Sequence, residues 1–93
     1  MTFIYVVRPG RERFRETVSD AEMEVIGEHF MYIKRAFDAG QVKMVGRCED
    51  AAFGLVIFDA ANINAAEGFA GNDPAVMAGV FSAEVREFRV VLG

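Results

Sequence analysis

The stretch from Ser19 to Gly40 constrains the chain most, because its pattern fits one element only. Met23, Ile26, Phe30, Ile33 and Phe37 recur at alternating steps of three and four. That spacing puts them on one face of an amphipathic helix. Ser19 followed by Glu22 fits a capping box, in which hydroxyl and carboxylate satisfy backbone N–H groups that the first turn leaves unpaired. Gly40 fits the left-handed position past the last turn. The same helix carries His29, the one histidine of the chain.

The rest of the chain arranges itself around this helix. Phe3 to Val7 is continuously apolar, β-branched and aromatic, and reads as a strand buried on both faces. Arg8-Pro9-Gly10 ends it, since proline lacks a ladder donor. Residues 8–18 form a charged connection anchored by Phe14 and Val18, with Val18 placed as a hydrophobic staple. Beyond the helix, Gln41 to Val45 is a short strand, 46–50 a turn, and Phe53 to Phe58 a third strand, again apolar on both faces. Asp59 or Asn62 can cap a second helix running to about Ala70. Gly71-Asn72-Asp73-Pro74 breaks it, and Asp73 can cap a short turn opened by Pro74 and ended by Gly79. Glu84 to Leu92 alternates as a last strand, with Phe88, Val90 and Leu92 on one face and Glu87 and Arg89 on the other.

The order β-α-β-β-α-β predicts an α+β, ferredoxin-like fold. Right-handed crossovers put both helices on one face of a four-stranded antiparallel sheet. The opposite face then lacks cover although two strands are apolar on both sides. An uncovered apolar face is a partner surface. The expectation is a homodimer with two sheets packed face to face, a dimeric α/β-barrel, with the charged last strand partly outside the interface.

The length of 93 residues fits one domain over 1–93. A hydrophobic fraction of 53% with nine Phe excludes disorder. With 14 acidic residues against 10 basic, no electrostatic case exists for nucleic acid. No apolar run is long enough to span a membrane, and no signal-type segment opens the chain, so the expected location is cytoplasmic. The single Cys48 cannot form an internal disulfide and reads as a loop thiol. Arg8, Arg11, Arg13 and Arg15 cluster, interrupted by Glu12 and Glu16. They form either a solvated loop or a mouth that attracts anionic substrates.

His29 is the first candidate for chemistry, as the side chain whose ordinary pKa lies near neutrality. On an ideal helix it lies roughly 80° from the middle of the apolar stripe. The other reading is a partly buried, hydrogen-bonded edge residue. Asp38 lies nine residues on, about 900° around the axis and so on the opposite side; a carboxylate partner must come from elsewhere. Asp73, at the end of the second crossover, is the preferred partner for His29. It can cap its turn and still present an oxygen to the imidazole. Arg47, at the tip of a turn, is a candidate for an anionic substrate group. Asp38 and Tyr5 complete the candidate substrate contacts, Tyr5 as a phenolic donor. No glycine-rich phosphate loop and no His/Cys cluster of metal spacing is present. Neither cofactor nor metal is therefore expected, and the ligand expected is a small molecule.

The chain resembles the YciI-like (YCII-related) domain family. The resemblance rests on Gly27-Glu28-His29-Phe30, Asp38-Ala39-Gly40, Gly46, Gly54-Leu55-Val56-Ile57, the run Asn72-Asp73-Pro74-Ala75-Val76-Met77-Ala78-Gly79-Val80, and Glu84-Val85-Arg86-Glu87-Phe88. It implies a ferredoxin-like dimer similar to the muconolactone isomerase type. It also implies a site around the helix histidine and an aspartate, here His29 and Asp73. Many members place proline after the glycine that follows the second strand; Arg47 stands there in this chain. The function expected is proton-transfer chemistry of isomerase or lyase type on a small metabolite. The alternative is a non-catalytic ligand-binding or accessory dimer.

Overall fold

The computed structural model describes residues 1–93. The chain runs β1 (Thr2–Pro9), α1 (Phe14–Thr17), α2 (Asp20–Asp38), β2 (Val42–Arg47), β3 (Gly54–Asp59), α3 (Ile63–Gly71), α4 (Pro74–Met77) and β4 (Phe81–Glu87). The sheet order is β2-β3-β1-β4, and every neighbouring pair is antiparallel. This is the ferredoxin-like arrangement expected from the element order, with α1 and α4 as short additions. No helix is long and apolar enough to cross a membrane.

Both long helices pack on one sheet face. Phe3, Tyr5 and Val7 of β1 and Val56 and Phe58 of β3 share a single buried cluster with Ile33 of α2 and Ala66 and Ala70 of α3. Strand alternation decides the face: Ile4 and Val6 turn the other way and stay half-buried. The apolar run of β1 is therefore sealed on one side by the chain's own helices and not on both. Aromatic contacts lock the centre of the buried side, with Tyr5 edge-on to Phe58 at a centroid distance of 5.6 Å and Phe58 tilted against Phe69 at 4.8 Å.

The capping box of α2 is present. The Glu22 N–H donates to Ser19 Oγ at 3.1 Å, and the Ser19 N–H donates to Glu22 Oε1 at 2.9 Å. Gly40 sits at φ +87°, where an L side chain would be strained. The face that α2 buries differs from the Met/Phe stripe. Met23, Phe30 and Phe37 each remain more than half exposed. The inward set is Val25, Ile26, His29, Tyr32, Ile33 and Ala36. Its middle falls near His29, so the helix is turned by roughly 80° from the hydropathy-weighted face. Polar bonds hold that rotation. Tyr32 donates its hydroxyl to the Phe69 carbonyl at 2.7 Å, and His29 is bonded to Asp73.

The last strand also differs from its sequence reading. It begins at Phe81 and ends at Glu87, and Phe88–Leu92 do not continue it. Pairing explains this. β4 runs from Phe81 opposite Pro9 to Glu87 opposite Phe3, and the Phe88 N–H takes the Thr2 carbonyl at 3.0 Å. Beyond Thr2 there is no strand left to pair with. The alternation of 88–92 suits a strand but has no neighbour.

Candidate active site

The site is built where α2 passes over the N-terminus of α4. Asp73 is the N-cap of α4: its Oδ1 accepts the Ala75 N–H at 2.9 Å, and Pro74 opens the first turn. A carboxylate fixed in this way has few rotamers left. It is wholly buried, at 0% exposure. Burial of a charged or polar group is tolerable only if its oxygens are satisfied. Asp73 meets this with two further donors. The Tyr5 hydroxyl donates to Oδ2 at 2.9 Å. His29 Nδ1 lies 2.6 Å from Oδ2 and 2.8 Å from Oδ1, so an Nδ1–H is shared between both oxygens.

These bonds set the state of each group. Burial, reinforced by the negative charge of Asp73, pushes the Tyr5 phenol far above its ordinary value, so Tyr5 acts as a donor only. Tyr32 is raised by the same two causes in the same order. With Nδ1–H committed to Asp73, the neutral imidazole carries its lone pair on Nε2. Nε2 makes no hydrogen bond within the chain, and no buried polar side-chain atom is left unpaired, so Nε2 is open to solvent. The ring edge packs on Phe81, with centroids 5.3 Å apart and planes at 85°.

His29 lines a cavity of about 570 Å³ between α2, the β2–β3 end of the sheet and the 9–18 connection. That volume suits a small organic ligand. Most of the wall is apolar, including Ile26, Phe30, Phe53 and Phe81. Gly54 has a spatial reason to lack a side chain, since a Cβ there would lie 3.2 Å from the Gly46 carbonyl oxygen.

The sequence candidates separate cleanly. His29 and Asp73 are brought together, and Arg47 lines the cavity. Tyr5 does not reach it; the strand alternation turns its ring into the core and its hydroxyl onto Asp73. Asp38 is also outside. It is exposed in the last turn of α2 and paired with Lys34 at 2.8 Å, on the side of the helix away from His29. Phe81, which lines the cavity, escaped the sequence reading because it lay just outside the expected last strand. Arg15 also lines it and belongs to the arginine cluster read as a solvated loop or an anion-attracting mouth, with nothing in the spacing to single it out from the other three. No group of three or more His, Cys, Asp or Glu side chains is gathered where a metal ion would need them.

The profile of the YCII-related domain matches residues 3–89. This protein belongs to the YCII-related domain family. No curated protein matches it. Among solved structures, this YCII-related chain is similar to the 5-chloro-2-hydroxyhydroquinone dehydrochlorinase of Burkholderia phenoliruptrix AC1100, determined in complex with 2,5-dihydroxybenzoquinone. The TM-score is 0.71 at 18% identity, over 96% of this chain and 94% of the other. At that identity the likeness speaks for the fold.

Proposed function

We propose that this YCII-related protein is a cofactor-independent enzyme of isomerase or lyase type that moves a proton on a small organic metabolite. The observation that carries the proposal is the polarity of His29. Its Nδ1 is held by a buried carboxylate, its Nε2 is unpaired and open to solvent, and the residue lines an apolar cavity. In that arrangement Nε2 takes a proton from the substrate, and Asp73 stabilises the imidazolium that forms. Tyr5 keeps Asp73 in place. Arg47 can stabilise an oxyanion that develops when the proton leaves. The dehydrochlorinase named above supplies a lyase on the same scaffold, although fold alone does not transfer a reaction.

The test is turnover of a panel of hydroxylated aromatic and lactone-like compounds in D₂O, followed by NMR. The wild type should exchange or eliminate at a substrate carbon, and His29→Ala should be slower by about 10²–10⁴-fold, the usual contribution of a positioned acid–base. Equal turnover in both would remove His29 from the mechanism. Binding without turnover would support a ligand carrier instead.

The same reading includes a homodimer. The sheet face opposite the helices presents Ile4, Val6 and Met44 with no helix of the same chain over them. A second copy is the natural cover, sheet against sheet.

A further inference from the structure

The cavity does not share the charge of the chain. Acidic residues outnumber basic ones by 14 to 10, yet no acidic side chain lines the cavity. Its two charged lining residues are both arginines, Arg15 and Arg47. Neither belongs to any ion pair of the chain. The other arginines near the cavity are occupied or turned away. Arg8 lies 3.8 Å from Glu84 and over the Phe53 ring, and Arg11 is spent on Thr17 and Glu22.

Arg15 is placed there by construction. Arg11 Nη1 and Nη2 grip both Glu22 oxygens at 2.7 and 2.9 Å, and Nη2 also donates to the Thr17 carbonyl at 2.8 Å. This ties α1 to the first turn of α2. Phe14, next to Arg15, is buried with Ala75 and Val80. The short helix is therefore pinned at both sides of the residue that faces the cavity. Both arginines are exposed and unpaired at the edge of an apolar wall, and the planar donors of a guanidinium match a carboxylate in two parallel bonds.

We infer that the cavity selects small molecules with an apolar, ring-like body and one carboxylate or equivalent oxyanion. The anion is held by Arg15 and Arg47, and the body lies against Phe30 and Phe53 beside His29. The inference rests on reading the cavity as a small-molecule site and not on turnover. It also assigns one arginine of the 8–15 cluster to the ligand and Arg11 to structure.

The experiment compares 2-naphthoate with its uncharged isostere 2-naphthamide by calorimetric titration, while the His29 ring signals are followed by NMR. Wild type should bind the carboxylate at least about tenfold more tightly, as one charge-assisted hydrogen-bonded pair would give. Both probes should move the His29 signals. Arg15→Gln with Arg47→Gln should bring the two probes to parity, the carboxylate losing far more affinity than the amide. Parity in the wild type, a preference that survives the double substitution, binding that leaves His29 unmoved, or no binding by either probe would each overturn the inference. His29→Asn should keep the carboxylate preference, scored by affinity alone, while losing turnover. Failure of the catalytic reading is thus distinguishable from failure of this one.

Discussion

A carboxylate with no water around it must find its donors inside the protein, and Asp73 finds three: the Ala75 N–H, the Tyr5 hydroxyl and the His29 Nδ1–H. Half of that arrangement was legible in the sequence. The half-turn offset between His29 and Asp38 forced the partner to come from another element, and the turn at Pro74 supplied it. The role of Tyr5 was harder to see, because a tyrosine flanked by Phe3 and Val7 reads as packing until its buried hydroxyl is asked for a partner. Tyr5→Phe should cost about 1–3 kcal/mol at pH 7, since it withdraws one donor from a buried carboxylate. The sign of its pH dependence follows from the raised phenol. The folded protein keeps a proton that the unfolded chain loses near pH ~10. The stability from Tyr5 is therefore complete below that pH and erodes above it. Urea unfolding at pH 7 and 10.5 should show the gap between wild type and Tyr5→Phe narrowing at the higher pH; a constant gap would mean the phenol is not held protonated by the fold. Asp73→Asn tests the same cluster differently. The amide preserves the cap oxygen but sets its own N–H₂ against the donors of Tyr5 or His29. We expect a loss of about 1–3 kcal/mol by thermal unfolding, and a His29 tautomer no longer fixed, read from imidazole ¹⁵N shifts.

At the scale of elements, hydropathy placed α2 and its ends but not its rotation. Met23, Phe30 and Phe37 are the more apolar side chains, yet the helix turns His29, Tyr32 and Ala36 inward. Periodicity weighs transfer free energy alone. It assigns nothing to the Asp73 and Phe69 oxygens that need donors from this helix, nor to the close approach that alanine permits. The connection before α2 hid a second element. Arg13 takes a left-handed backbone at φ +57°, α1 follows, and Arg11 reaches forward eleven residues to Glu22. No local pattern encodes that reach. Arg11, bonding the carboxylate, holds the Glu22 carboxyl down to about 2, below its ordinary 4.5. A lowered carboxylate contributes to the native state above its unfolded value and ceases to contribute as pH falls through the folded one. Hydrogen exchange across residues 13–18, with each rate divided by its intrinsic value at that pH, should therefore stay slow at pH 5 and speed up as pH falls from about 4 toward 2. Glu22→Gln should exchange quickly at every pH and show no such step. A wild-type profile without that step would release α1 from the clamp assigned to it.

For the whole molecule, the decisive quantity is the sheet face that the helices leave open. Two long helices packed on one side of four strands cover one sheet face only. Sequence patterning showed this by strands apolar at consecutive positions: Ile4 and Val6 have no reason to be apolar if their side meets only water. What patterning could not show was how far β4 extends. It paired Val90 and Leu92 with a face, whereas β1 runs out at Thr2 and leaves those residues exposed. A domain of this size buries a smaller share of its surface than a large one, so pairing through an apolar sheet face would add stability that the monomer lacks. Ile4 is the most direct probe, because it lies mid-strand between Ile57 and Arg86 with its side chain on the open face. Ile4→Glu places a carboxylate where the partner sheet would bury it, at a cost no dimer of this kind absorbs without a paired cation. In an isolated chain the same glutamate stays hydrated and can meet Arg86 across the strands at little cost. Light scattering should therefore give a dimer mass for the wild type and a monomer mass for Ile4→Glu, with matching far-UV circular dichroism. A wild-type monomer at micromolar concentration would remove the sheet-to-sheet dimer. A dimer that survives the substitution would move the interface elsewhere, to the exposed Met23, Phe30 and Phe37 side of α2.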